Sequence, residues 1–124
     1  MKRRVQHVTN GTTGECLGVQ VWLWCSGCDH VHRFVFACPE HGRPKGPVWE
    51  GDPWSDPPNY PPTGSSSNSL LTHSYNKEKG EMRCHSFVKN GQWEFLSDCT
   101  HELRGFHDLP DLPDWLEGEE YERV

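Results

Sequence analysis

Trp24-Cys25-Ser26-Gly27-Cys28-Asp29-His30-Val31-His32 lies between two apolar runs, and its reading decides the fold. Two thiols three residues apart on a tight Ser-Gly turn present both sulfurs to one tetrahedral metal ion, which makes the segment a zinc knuckle. A stable site needs four ligands. A second Cys/His-rich stretch, from Arg83-Cys84-His85-Ser86 to Asp98-Cys99-Thr100-His101, supplies what the knuckle lacks.

Working outward, Val19 to Trp24 and Val31 to Ala37 are rich in branched and aromatic residues and read as the two strands of a hairpin whose turn is the knuckle, as in zinc ribbons. A second hairpin follows from Asn90-Gly91 between Met82–Val88 and Trp93–Leu96, because both turn residues tolerate positive φ. With Asn90 and Gly91 as the turn pair, Cys84 faces Ser97 and Cys99 faces Met82. Both thiols then sit at the same open end.

The rest of the chain frames these hairpins. Residues 1 to 18 show little periodicity, with a turn at Thr9-Asn10-Gly11. Eight prolines fall between Pro39 and Pro62, so residues 39–68 form a long Pro/Ser-rich loop, although Trp49, Trp54 and Tyr60 indicate that it packs on something. Thr63 to Ser69 reads as the most mobile part. Ser69 to Tyr75 is a further strand, followed by a charged turn at Asn76–Gly80. Past the Pro110 and Pro113 breaks, Asp114 caps a short helix with Glu117 at the third position, and Gly118 weakens it.

The expected fold class is therefore mainly β: a small zinc-stabilised domain of β-hairpins over residues 1–107, with a short acidic helix or tail over residues 108–124. Metal is a plausible supplement to the core, since only 33% of the 124 residues are hydrophobic, with 12 Gly and 10 Pro. The net charge of −6 is concentrated at the end. From Asp108 onward there are seven acidic residues and one basic one, so the remainder is balanced and lacks a phosphate-binding footprint. No stretch approaches the roughly 20 apolar residues of a membrane span. The charged start is followed by polar residues and not by an apolar signal core, which points to reduced cysteines in a cytosol. Five of the eight histidines (His30, His32, His41, His85 and His101) lie within four residues of a cysteine, which favours metal over disulfides.

The preferred ligand set is Cys25, Cys28, Cys84 and Cys99, holding a structural zinc with no open position. Cys38 and His41 form a competing pair, but a continuous strand after the knuckle carries Cys38 roughly 30 Å from Cys28. His30, His32, His85 and His101 are alternates. A sharper alternative replaces one cysteine by His85 or His101 and leaves a water-bearing position for hydrolysis, with Asp98 or His101 as base. Against it, histidines beside zinc cysteines commonly hydrogen-bond the thiolates. No His-Glu-x-x-His, deaminase, phosphate-loop or Gly-x-Ser-x-Gly signature is present. Nucleic-acid binding through the ribbon is a third reading, disfavoured by the neutral body.

The chain resembles a family of small proteins of unknown function encoded largely by bacteriophages and prophages. The likeness rests on Cys25-x-x-Cys28-x-His30-x-His32, the Pro/Trp/Ser-rich middle, Arg83-Cys-His-Ser-Phe-Val-Lys-Asn-Gly, and Phe95-Leu-Ser-Asp-Cys-Thr-His101, and it extends into Asp-Leu-Pro-Asp-Leu-Pro. It covers residues from about 20 to 113. The resemblance implies a phage origin and a zinc site, without bringing an activity. In that family Ser can stand at the position of Cys99, which raises His85 and His101 as ligands. The expectation is thus an accessory or virion-associated protein that binds another phage or host protein, with the 108–124 tail, carrying Leu109, Leu112, Trp115, Leu116 and Tyr121, as its docking segment.

Overall fold

The computed structural model describes residues 2–37, 48–63, 66–78 and 80–113. The expected helix at Asp114 and the competing pair Cys38 and His41 lie outside the described residues. Seven strands are present among the described residues, β1 (Arg4–Thr9), β2 (Cys16–Cys25), β3 (His30–Phe36), β4 (Leu70–Asn76), β5 (Gly80–Lys89), β6 (Gln92–Phe95) and β7 (Gly105–Asp108). They form two antiparallel sheets, ordered β1-β2-β3 and β4-β5-β6-β7. No helix occurs among the described residues.

Both expected hairpins form. In the first, Leu23 opposes His32 and Cys25 opposes His30. In the second, Asn90 and Gly91 take the positive φ values, 50° and 77°, that the tight turn requires. Strand β2 buries Val19, Val21, Leu23 and Cys25, and β3 buries His32, Phe34 and Phe36. Strand β5 buries Cys84, Ser86 and Val88, while β6 buries Trp93 and Phe95. This period of two gives each sheet one inward face, and the two faces share a single core, so the sheets stack as a sandwich. Trp93 pins the layers together. It is fully buried, and its Nε1–H donates to the Trp24 carbonyl of the other sheet at 2.9 Å.

Two strands were not legible beforehand. Strand β1 carries only Val5 and Val8 as apolar residues, and its Arg4 is buried because the guanidinium lies 3.8 Å above the Trp22 ring. Strand β7 pairs with β6 through Trp93 and His107, yet its one large apolar residue, Phe106, is exposed. Neither shows the alternation that marks a strand in sequence.

The described part of the Pro-rich segment is packed, as its aromatics indicated. Trp49 stacks on Phe34 with ring centroids 3.9 Å apart, and its N–H donates to the Val35 carbonyl. Tyr60 is buried; its N–H donates to Val88 O and its hydroxyl to Pro53 O at 2.7 Å. The stretch read as mobile is corrected at Asn68. That side chain is buried, donates to the carbonyls of Glu50 and Pro61 at 2.7 Å each, and accepts the Glu50 N–H at 2.9 Å. It ties three parts of the loop together. The body also extends past residue 107, since Leu109 and Leu112 are buried and the Leu109 N–H donates to Gly91 O.

Candidate metal centre

The knuckle turn follows β2, with Asp29 in the left-handed region at φ 53° leading into β3. The Cys28 N–H points at Cys25 Sγ, 3.4 Å away, the kind of contact that stabilises a thiolate. Cys25 ends β2 on its inward face, and Cys84 meets it from the opposite sheet with the two sulfurs 4.0 Å apart. In a tetrahedral thiolate site with metal–sulfur bonds of about 2.3 Å, two sulfurs sit roughly 3.8 Å apart. The observed spacing fits an ion between them.

The fourth donor atom within reach is a histidine nitrogen. Cys25, Cys28, His32 and Cys84 each offer one ligand atom, all within 4.8 Å of one another. His32 is only 5% exposed, its ring meets Trp93 edge-on at 5.8 Å, and its Nε2 has no hydrogen-bond partner. A buried, unpaired ring nitrogen costs about 1–3 kcal/mol, and a metal ion would supply its partner. The sequence offers His32 only as an alternate; its signal is that it stands in phase with Phe34 and Phe36 on a strand, which places it inside.

Cys99 does not join this group. The β5–β6 ladder continues only to the Leu96 N–H on His85 O, after which the chain turns, with Cys99 N–H donating to Leu96 O and Thr100 N–H to Arg83 O. The turn moves Cys99 away from the straight extrapolation that set it opposite Met82, so that its sulfur accepts the His85 N–H at 3.2 Å. Cys99 instead forms a second group with Cys84 and His101, again within 4.8 Å. His101 is buried against the knuckle, where a Cβ on Gly27 would come within 2.4 Å of its ring. Glycine at position 27 is what lets the ring approach.

The remaining candidates fall elsewhere. His30 is exposed and belongs to neither group. His85 lies between the inward-facing Cys84 and Ser86, so its ring is on the outer face, where Nδ1 is 3.2 Å from Asp98 Oδ2. The hydrolytic trio is therefore not gathered, because His85 and Asp98 pair outside the sheet while His101 is inside. Cys16 is disulfide-bonded, so the expectation of reduced thiols holds for Cys25, Cys28, Cys84 and Cys99, but not for it.

The sulfurs of the cluster perturb one another's protonation. Hydrogen bonds from Cys25 and Cys84 pull the Cys28 thiol down to about 4, against the effect of burial. The mirror-image contacts with Cys25 and Cys28, together with burial, push the Cys84 thiol up. Burial lowers His101 below the usual imidazole value and keeps it neutral, as a ligand must be. At Asp98 burial acts upward, but the His85 hydrogen bond, its own backbone amide and the charges of His85 and Arg83 hold the carboxyl down.

No protein family, curated protein or solved structure matches this chain.

Proposed function

We propose that Cys25, Cys28, His32 and Cys84 hold one zinc ion, and that this ion is structural. The observation that carries the reading is the convergence of four donor atoms, two from the knuckle, one from β3 and one from the opposite sheet, within 4.8 Å. Three thiolates and an imidazole suit zinc among the common metals, and four protein ligands leave no open position. The ion ties the two sheets by a link between residues 59 positions apart. Closing a loop of that length removes on the order of 4 kcal/mol of unfolded-state entropy.

On this scaffold the protein acts as a phage-encoded accessory or virion-associated protein, in the host cytoplasm or the virion, by binding another protein. The Cys-His-Ser-Phe and Asp-Cys-Thr-His blocks support the phage origin, and the scattered hydrolytic trio supports binding over catalysis. The docking segment is residues 114–124, where five acidic residues and Arg123 accompany Trp115, Leu116 and Tyr121, which suits a basic partner surface. Leu109 and Leu112 serve the core instead. X-ray absorption at one equivalent of zinc tests the metal: three sulfurs and one nitrogen are expected. Four sulfurs would replace His32 by Cys99, and absence of zinc binding would overturn the reading.

A further inference from the structure

We propose that the domain holds a second divalent ion beside the first, on Cys99 and His101, with Cys84 as the thiolate shared between the two. The inference rests on the zinc reading of the first group and adds a second coordination position that the four-ligand site does not need.

The donor geometry comes first. Cys84, Cys99 and His101 place their ligand atoms within 4.8 Å of one another, and Cys84 belongs equally to the group that includes Cys25, Cys28 and His32. A cysteine sulfur has lone pairs for two metals. His101 is 7% exposed and its Nε2 is buried without a hydrogen-bond partner, so each group contains one buried imidazole with an unanswered nitrogen. The His85 N–H points at Cys99 Sγ at 3.2 Å, a donor that stays in place for a thiolate, while the Cys99 S–H donates to the His85 carbonyl at 3.2 Å and gives up that proton when an ion binds.

Charge argues the same way. Three ligand thiolates around a single divalent ion leave one negative charge in excess inside the sandwich, a costly state. A second ion that displaces the Cys99 proton brings four thiolates against two divalent ions, which balance. The nearby cation does not substitute for the second ion, because Arg104 directs its guanidinium to backbone carbonyls, to Cys99 O at 2.5 Å, Leu103 O at 2.8 Å and His101 O. Those bonds fix the turn that carries Cys99 and His101, so both donors arrive positioned. A cleft lined by Gly27, Thr100, His101 and Glu102 opens beside the ring. It gives an ion a route in and leaves room for water as the fourth ligand, as in zinc sites with three protein ligands.

Occupancy has one visible cost. His101 Nδ1 accepts the Leu103 N–H at 3.2 Å, which in a neutral ring leaves the proton on Nε2. An ion at Nε2 takes that proton's place, so the proton moves to Nδ1 and the Leu103 bond is lost. The ion expected is of the borderline-soft class, zinc or its cobalt and cadmium surrogates.

The experiment is a cobalt titration of the full chain, followed by native mass spectrometry and electron paramagnetic resonance. Two ions per chain are expected, with the high-spin signal of the first equivalent reduced by the second, because a shared thiolate couples the two spins. His101→Gln and Cys99→Ser are each expected to stop at one ion with an unreduced signal. Nitrogen NMR of His101 is expected to show the proton leaving Nε2 at the second equivalent and not at the first. A wild-type chain that stops at one ion overturns the second site and leaves the first standing. Two ions in His101→Gln overturn the assignment of His101. A chain that takes no ion overturns the first site and the second with it.

Discussion

At the scale of single residues, the centre depends on two side chains that a count of cysteines passes over. His32 is one strand position away from exposure, and only its phase with Phe34 and Phe36 brings it inside. Replacing His32 by Ala is expected to weaken zinc binding by more than the roughly 10–100-fold that accompanies loss of an outer-sphere partner. His30→Ala should leave affinity in place. Competition with a chromophoric chelator measures both, and equal losses would remove His32 from the ligand set. Gly27 is the second case. A methyl group there overlaps the His101 ring, so Gly27→Ala is expected to cost about 1–3 kcal/mol in urea unfolding. The double variant Gly27→Ala/His101→Ala should cost less than the sum of the two single changes, since the clash disappears with the ring.

The elements differ in how plainly their sequences announce them. Strands β2, β3 and β5 are alternating or apolar runs, and the Asn90-Gly91 turn fixes the register of β5 against β6. That register holds to Leu96 and then fails, because the short turn from Leu96 to Cys99 draws the chain aside before Cys99 can face Met82. Local pattern sets pairing near a turn, whereas a departure several residues further depends on what the chain meets. Strands β1 and β7 lack a pattern of their own and exist because β2 and β6 offer them open ladder edges. The layers themselves are joined by Trp93. Trp93→Phe keeps most of the ring but leaves the part-buried Trp24 carbonyl without this donor, and it is expected to lower unfolding free energy by about 1–3 kcal/mol.

For the molecule as a whole, the proposed zinc site makes metal and fold one equilibrium. Removing the ion with a strong chelator is expected to lower the thermal midpoint and to broaden amide NMR signals from both sheets, because the ligands come from both. Unchanged midpoint and spectra would make the ion incidental. The pH dependence has a definite sign. Cys28, pulled down to about 4, is already a thiolate near neutrality and contributes little above that range. Cys84 is pushed up and must release a proton to bind, so affinity is expected to rise with pH and to fall on acidification, as calorimetry in buffers of different ionisation enthalpy would register. Truncation separates body from docking segment. Ending the chain after Asp108 removes two buried leucines, each worth about 2–5 kcal/mol, whereas ending it after Pro113 should keep the fold and abolish partner capture. Capture that survives the second truncation would move the interface onto the sheets.

The sequence by itself determined that this chain is mainly β, that a Cys-x-x-Cys turn joins two of its strands, that Asn-Gly closes another hairpin, and that the aromatics of the Pro-rich loop pack. Those properties follow from local chemistry: residues that tolerate positive φ, thiols at turn spacing, and side chains too apolar to leave in water. Tertiary structure alone decided that the hairpins belong to two stacked sheets, that Asn68 organises a stretch rich in serine, and that Leu109 and Leu112 complete the core. It also decided that His32 and not Cys99 stands with Cys25, Cys28 and Cys84. The reason is distance along the chain. A donor set is fixed by the approach of elements some sixty residues apart, and that approach is set by how two inward faces fill one core, which no short window of sequence contains.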